Sequence, residues 1–197
     1  VGYWKMDENS GTGAYILDSS GNGNDGTPTG ASYSNNGIIN GSRKFNGSSN
    51  YISIPTASEL SFDRTDSYTL EAWFKTSSTA SQIILAKMIN AAPYTGYDIG
   101  VVGGVISVHI VGTWSSSAIQ VDGTTNVTDG GWHHVVMTYD GSSSSSGVKI
   151  YLDGVLEKMS VVYNSLSSTT INSTSLTMGI RSGTDTKYFN GLIDEVR

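Results

Sequence analysis

Cysteine is absent from the 197 residues, so neither a disulfide nor a thiolate metal site is open to this chain. Charge is scarce too: charged side chains make up 14% of the chain, with 11 Lys and Arg against 17 Asp and Glu, a net charge of -6. Contact with a phosphate backbone needs clustered cations, and no basic run exists, so no nucleic-acid partner is expected. No apolar run approaches the roughly 18 residues of a membrane-spanning helix, so insertion into a membrane is not expected either. Helical periodicity is nearly missing. The chain does not open on a signal-peptide pattern, and it stops inside "LIDEVR", which reads as a strand. It is expected to be part of a longer, multidomain polypeptide.

Short alternating runs fill the chain instead, separated by clusters of Gly, Ser, Asn and Asp. "YISIP" (51–55) alternates, and "YTLEAWFKT" (68–76) places Tyr68, Leu70, Ala72 and Phe74 on one face and Thr69, Glu71, Trp73 and Lys75 on the other. "SQIILAKM" (81–88) reads as a strand, and "YDIGVVGGVISVHIVG" (97–112) as a hairpin turning at Gly103-Gly104. "WHHVVMTYD" (132–140) and "VKIYLDG" (148–154) flank "GSSSSSG", which is read as a hairpin loop rather than a linker. Asp153-Gly154 marks a further turn, and "SLTMGIR" and "FNGLIDEVR" close the chain. Many short strands with no shift in composition predict one all-β domain over residues 1–197, a sandwich or barrel. Phe45 and Trp73 are candidate interior anchors, and His133 and His134, adjacent in a strand, face opposite sides.

The stretch "DSSGNGNDG" (18–26) gathers oxygen-bearing side chains in one tight loop. Asp18, Ser20 and Asn22 alternate, Gly23 follows and Asn24 comes next, the spacing by which a flexible loop wraps calcium. The twelfth position is Thr29, not Glu, so this is no helix-loop-helix calcium hand. Half a site is present, and the remaining donors must come from elsewhere; Asp194 on the terminal strand is the candidate. A metal there would tie the first loop to the last strand. The same residues also suit a simple turn, and Asp25 is either a ligand or a solvated charge.

The segments "YWKMDENSGTGAYILDSSGNGNDGT", "RKFNGSSNYISIP", "YTLEAWFKT", "GWHHVVMTYDG", "VKIYLDGVL" and "FNGLIDEVR" together resemble the laminin-G-like, concanavalin A-like jelly-roll domains, in the family's order and over almost the whole chain. The resemblance implies two antiparallel sheets packed face to face. It also implies a structural Ca2+ near the first loop and the last strand, with Asp18, Asn22, Asn24 and Asp194 as ligands. The implied role is a noncatalytic, carbohydrate-binding or lectin-like module of a secreted or cell-surface protein. Its partner would be a glycan or an extracellular protein.

Two rival readings remain. One is a protein-interaction, adhesive or spacer domain without sugar affinity. The other is a glycoside hydrolase, which needs two carboxyl groups flanking the scissile bond. The Glu residues at 8, 59, 71, 157 and 195 show no Glu-x-Asp-x-x-Glu pattern, no Gly-x-Ser-x-Gly elbow is present, and nothing in the spacing of Asp98, His109 and Asp140 asks for a catalytic grouping, so no enzyme is expected. Sugar sites combine aromatic faces with groups that satisfy hydroxyls. Tyr94, Tyr97, Asp98 and Trp114, at the ends of the 97–112 hairpin, are the candidate ligand-binding residues. Asn40, Asn46, Asn126 and Asn172 begin Asn-x-Ser/Thr sequons, common by chance in so serine-rich a chain.

Overall fold

The computed structural model describes residues 1–13, 15–182 and 186–197. It is a sandwich of two antiparallel sheets. The eight-stranded sheet runs in the order β1 (Thr27–Thr29), β4 (Tyr51–Ile54), β14 (Leu176–Met178), β6 (Gln82–Met88), β7 (Gly96–Val102), β8 (Val105–Thr113), β9 (Ser117–Asp122) and β13 (Ser160–Asn164). The seven-stranded sheet runs β12 (Val155–Leu156), β11 (Val148–Leu152), β10 (Trp132–Tyr139), β5 (Tyr68–Lys75), β15 (Asn190–Asp194), β3 (Ser42–Asn46) and β2 (Ser32–Ser34). Strands β6 to β9 follow one another as a meander, as do β10 to β12, while the chain crosses between the sheets from β4 to β5, from β5 to β6 and from β9 to β10, as in a jelly roll.

The inner faces follow the alternation of the sequence. Tyr68, Leu70, Ala72 and Phe74 of β5 are buried, as are Val135, Met137 and Tyr139 of β10 opposite them. Phe45 meets Phe189 edge-on at 6.0 Å in the same core, and Phe62 stacks on Tyr68 at 4.6 Å. Trp73 is not an interior anchor: it lies half-buried on the outward face of β5, stacked 4.7 Å from His134 on β10. The strand period that buries Phe74 sends Trp73 the other way. Gly103 and Gly104, with φ of +60° and +84°, form the predicted tight turn between β7 and β8, a backbone that glycine adopts without strain.

In the middle of the eight-stranded sheet the alternation disappears. Strands β6 and β7 are buried almost throughout, and β8 along most of its length, so this part of the sheet is covered on both faces. Tyr97, Ile99, Val108 and Ile110 point into the sandwich. Their outward neighbours include Asp98 and His109, paired across the β7–β8 ladder. Over that outer face Met88, Val111 and Ala118 gather Tyr94, Trp114 and Tyr163 into a second apolar cluster.

The chain ends are tied together by protein contacts. Trp4 pairs with Asp18 on one side and Val196 on the other. Its indole N–H donates to the carbonyl of Asn24 at 2.8 Å.

Candidate functional site

The loop after Asp18 is braced by that carboxylate. Asp18 Oδ1 accepts the amide N–H of Tyr3 (3.0 Å) and Ser20 (2.9 Å), and Oδ2 accepts that of Asn24 (3.0 Å). Burial works to raise the Asp18 pKa, but the hydrogen bonds from Ser20, Tyr3 and Asn24 outweigh it and hold the group below the usual carboxylate range. Beyond the brace, three donors crowd one acceptor: Ser20 Oγ (3.2 Å), Asn22 Nδ2 (3.0 Å) and Asn24 Nδ2 (3.4 Å) all reach the Val1 carbonyl, and Asn24 Nδ2 also reaches Glu59 Oε1 at 3.2 Å. A carbonyl offers two lone pairs. Half a turn of each amide replaces nitrogen by oxygen and leaves a knot of neutral oxygens with one carboxylate, the donor chemistry calcium takes. Glu59, on the short 3-10 turn Ser58–Leu60, is a residue the sequence reading passed over.

Asp194 has different partners. Its Oδ2 accepts the amides of Ile38 (2.8 Å) and Ile39 (3.4 Å), and its Oδ1 that of Glu195 (2.9 Å). It pins the 38–39 loop over β15, and burial pushes its pKa up to about 6 against those three donors. Trp4 separates the two segments, so the backbones of Asp18 and Val196 stand two strand spacings apart, about 10 Å. The structure therefore brings Asp18, Asn22 and Asn24 together and engages Asp194 elsewhere. Asp25 accepts the Asp18 N–H at 2.8 Å, a turn contact.

A pocket of about 400 Å3 opens on the outward side of the eight-stranded sheet, lined by Asn90, Tyr94, Trp114, Arg181 and Lys187. Tyr94 and Trp114 meet edge-on at 5.9 Å, and Trp114 also packs against His109 (5.2 Å) and Tyr163 (6.1 Å). Two of the four expected ligand residues thus line one cavity. Asp98 stands behind it, and Tyr97 faces the opposite way: its ring lies in the core, 1% exposed, and its hydroxyl donates to the Leu60 carbonyl at 2.8 Å. Adjacent strand residues diverge, which separates Tyr97 from Asp98. Asn90, Arg181 and Lys187 were missed because they come from two distant loops, and "GIR" carries no signal of its own.

Asp98 is fully buried and organises the pocket floor. One oxygen meets His109 Nδ1 at 2.6 Å; the other accepts the Arg181 Nε–H at 2.7 Å and lies 2.5 Å from Nη2 as an ion pair. Burial alone would raise the Asp98 pKa; the charges and hydrogen bonds of His109 and Arg181 reverse that and keep it ionised. The network runs on: His109 Nε2 lies 3.4 Å from Ser107 Oγ, and Ser107 donates to Asp122 Oδ1 at 2.6 Å. Asp98, His109 and Ser107 have the order of a nucleophile triad but not its function. The Ser107 proton is committed to Asp122, and the hydroxyl is buried from any substrate. Asp140 instead caps its own loop by accepting the Ser142 amide.

A family model described as the concanavalin A-like lectin/glucanases superfamily matches residues 46–197. The chain belongs to this superfamily. The match begins after the 18–26 loop and so does not speak to the metal. No curated protein sequence matches. Solved structures with the same fold include the binding domain of Paraclostridial Mosquitocidal Protein 1 (TM-score 0.76, 14% identity, 99% of this chain and 47% of that one). Others are the binding domain of botulinum neurotoxin DC in complex with rat synaptotagmin II (0.70, 14%, 100% and 46%) and that of botulinum neurotoxin serotype G (0.66, 19%, 99% and 46%). This chain spans about half the length of those proteins, and at such identities the likeness is one of fold.

The superfamily holds both lectins and glucanases, so the carboxylates matter. Hydrolysis needs two of them facing the sugar. Among the described residues none lines the pocket, and Asp98 and Asp122 are consumed by the buried network. The two solved structures named first above are of binding domains.

Proposed function

We propose that this chain is a noncatalytic binding module of a secreted or cell-surface protein, and that it holds a glycan in the Tyr94–Trp114 pocket. One observation carries the reading: two aromatic rings and an amide line a cavity of about 400 Å3 over a buried, ion-paired floor. A cavity of that size accepts a small ligand. The rings offer apolar faces to a pyranose, and Asn90 and the cations offer groups for its hydroxyls. Related folds support a recognition role: the botulinum neurotoxin DC binding domain is known in complexes with rat synaptotagmin II and with SialylT, and type C entry depends on two ganglioside molecules.

A calcium ion belongs to the same proposal as a structural support. Asn22, Asn24, Ser20, the Val1 carbonyl and Glu59 would hold it, with Asp18 shaping the loop. The ion would supply charge for those oxygens to converge on.

A protein partner is the second reading. Val155 and Leu156 on edge strand β12 and Val161 and Val162 on edge strand β13 are exposed, and apolar edges invite strand addition.

A glycan array tests the first reading. The intact protein should be retained on a defined subset of sugars. Trp114→Ala and Tyr94→Asn should each weaken retention by about tenfold or more, a change of about 1.4 kcal/mol. Asparagine is chosen at 94 because the residue there has φ of +64°, which asparagine tolerates. Retention that both variants keep would remove the pocket from the proposal.

A further inference from the structure

Aromatic rings on the outer face of the eight-stranded sheet continue past the cavity. Tyr94 comes from the β6–β7 loop, Trp114 from the β8–β9 turn and Tyr163 from edge strand β13, so the strand order sets them in a row. Trp114 stands in the middle, 5.9 Å from Tyr94 on the cavity side and 6.1 Å from Tyr163 on the other. All three are half-buried. From β7 to β13 is three strand spacings, about 14 Å, more than one pyranose covers. We propose that the glycan site is an open-ended groove that takes an oligosaccharide, with one unit at Tyr94 and Trp114 and the next at Tyr163. This rests on reading the pocket as the glycan site.

A break in strand register puts Tyr163 there. Val161 of β13 lies opposite Val121 of β9, so an unbroken ladder would set Val162 opposite Gln120 and Tyr163 opposite Ile119, whose side chain lies in the sandwich core. The bulge instead sets Tyr163 opposite Gln120, on the outward face shared with His109 and Asp98. A slip of one residue moves a side chain to the other face of its sheet, and bulges recur where a side chain is re-aimed beside a site. A polar group stands in the same row. Gln120 is half-buried between His109 and Tyr163, and its Nε2 donates to Asp122 Oδ1 at 3.2 Å. A carboxylate only accepts, so the amide nitrogen is fixed on Asp122 and the amide oxygen turns away, an acceptor for a sugar hydroxyl. Ring and amide together repeat the chemistry of the cavity, where Asn90 accompanies Tyr94 and Trp114. Strand β13 is the edge of its sheet, so the row ends at the rim and a longer chain can run on past it.

Sugars that differ only in length make the test: glucose with cellobiose and cellotriose, N-acetylglucosamine with chitobiose and chitotriose, and mannose with mannobiose and mannotriose. Each is titrated into the intact protein while tryptophan fluorescence is followed. In at least one series the disaccharide should bind about tenfold tighter than the monosaccharide, the gain expected from one further ring contact and hydrogen bond. Tyr163→Ala should shrink that step to below about threefold. Equal affinity along every series that binds would overturn the inference and leave the pocket a site for one sugar unit. A step that Tyr163→Ala leaves intact would equally overturn the path to β13. Absence of binding in all three series would overturn the inference, and would overturn the pocket with it only if array retention also survives Trp114→Ala. The comparison of lengths on the unaltered protein needs no variant to fold.

Discussion

Asp98 lies beside the expected ligand residues, and its carboxylate is engaged by side chains from two other segments. Its position beside the 97–112 hairpin marked it as a ligand contact, and the structure sets it one layer down, holding Arg181 and His109. Sequence spacing gives which side of a strand a carboxylate faces, but not whether a distant loop arrives with an arginine to cover it. The ion pair is fully buried, and breaking such a pair leaves the other charge unsatisfied. Asp98→Asn should therefore cost about 3–5 kcal/mol of stability. Urea unfolding checks this; a loss under about 1 kcal/mol, the range of an exposed pair, would show that Arg181 finds water or another partner.

At the level of strands and loops, the pattern was readable where one face meets water. The alternation of 68–76 and 132–140 gives β5 and β10, and the glycine pair gives the β7–β8 turn. Strands β9 and β13 were not marked: β13 is an edge strand with little burial, and β9 lies where both sheet faces are covered and the alternation is lost. The histidine pair diverges as its spacing requires. His134 stacks outward on Trp73, and His133 joins the start of β10 to Asp129 (3.1 Å) and to Asp153 in the β11–β12 turn (2.9 Å). Burial works against the charged His133 ring, but the two aspartates outweigh it and raise its pKa. A proton held more tightly in the folded chain stabilises fully below the unfolded value of about 6.5 and is lost as pH rises through the higher folded value. Stability should thus decline from pH 6.5 upward, by under about 1 kcal/mol because both aspartates are partly exposed. His133→Gln should flatten that part of the unfolding profile; a slope that survives the substitution would assign it elsewhere.

For the molecule as a whole, the jelly-roll family was legible from six scattered segments, because each holds a strand or turn whose local chemistry stands alone. The joining of the chain ends was legible only in outline. The sequence suggested a cation between Asp18 and Asp194; the structure threads Trp4 between their segments and gives each carboxylate its own amide donors. Glu59 escaped notice because only the folded chain brings a 3-10 turn to Asn24. Calcium, if held by that group, stabilises by mass action. The melting temperature should fall with EGTA, recover with added calcium and rise with free calcium concentration, and Glu59→Gln should abolish most of the response. A melting curve unmoved by either reagent would leave the loop a hydrogen-bonded turn.

The four tryptophans report on separate places: Trp4 between the chain ends, Trp73 and Trp132 on the outward face of the seven-stranded sheet, and Trp114 in the pocket. A single NMR titration that follows their indole N–H signals, using the sugar best retained on the array, therefore locates recognition directly. Movement of the Trp114 signal alone is the expected result. Movement of Trp73 and Trp132 with Trp114 unchanged would place binding on the other sheet and contradict the pocket.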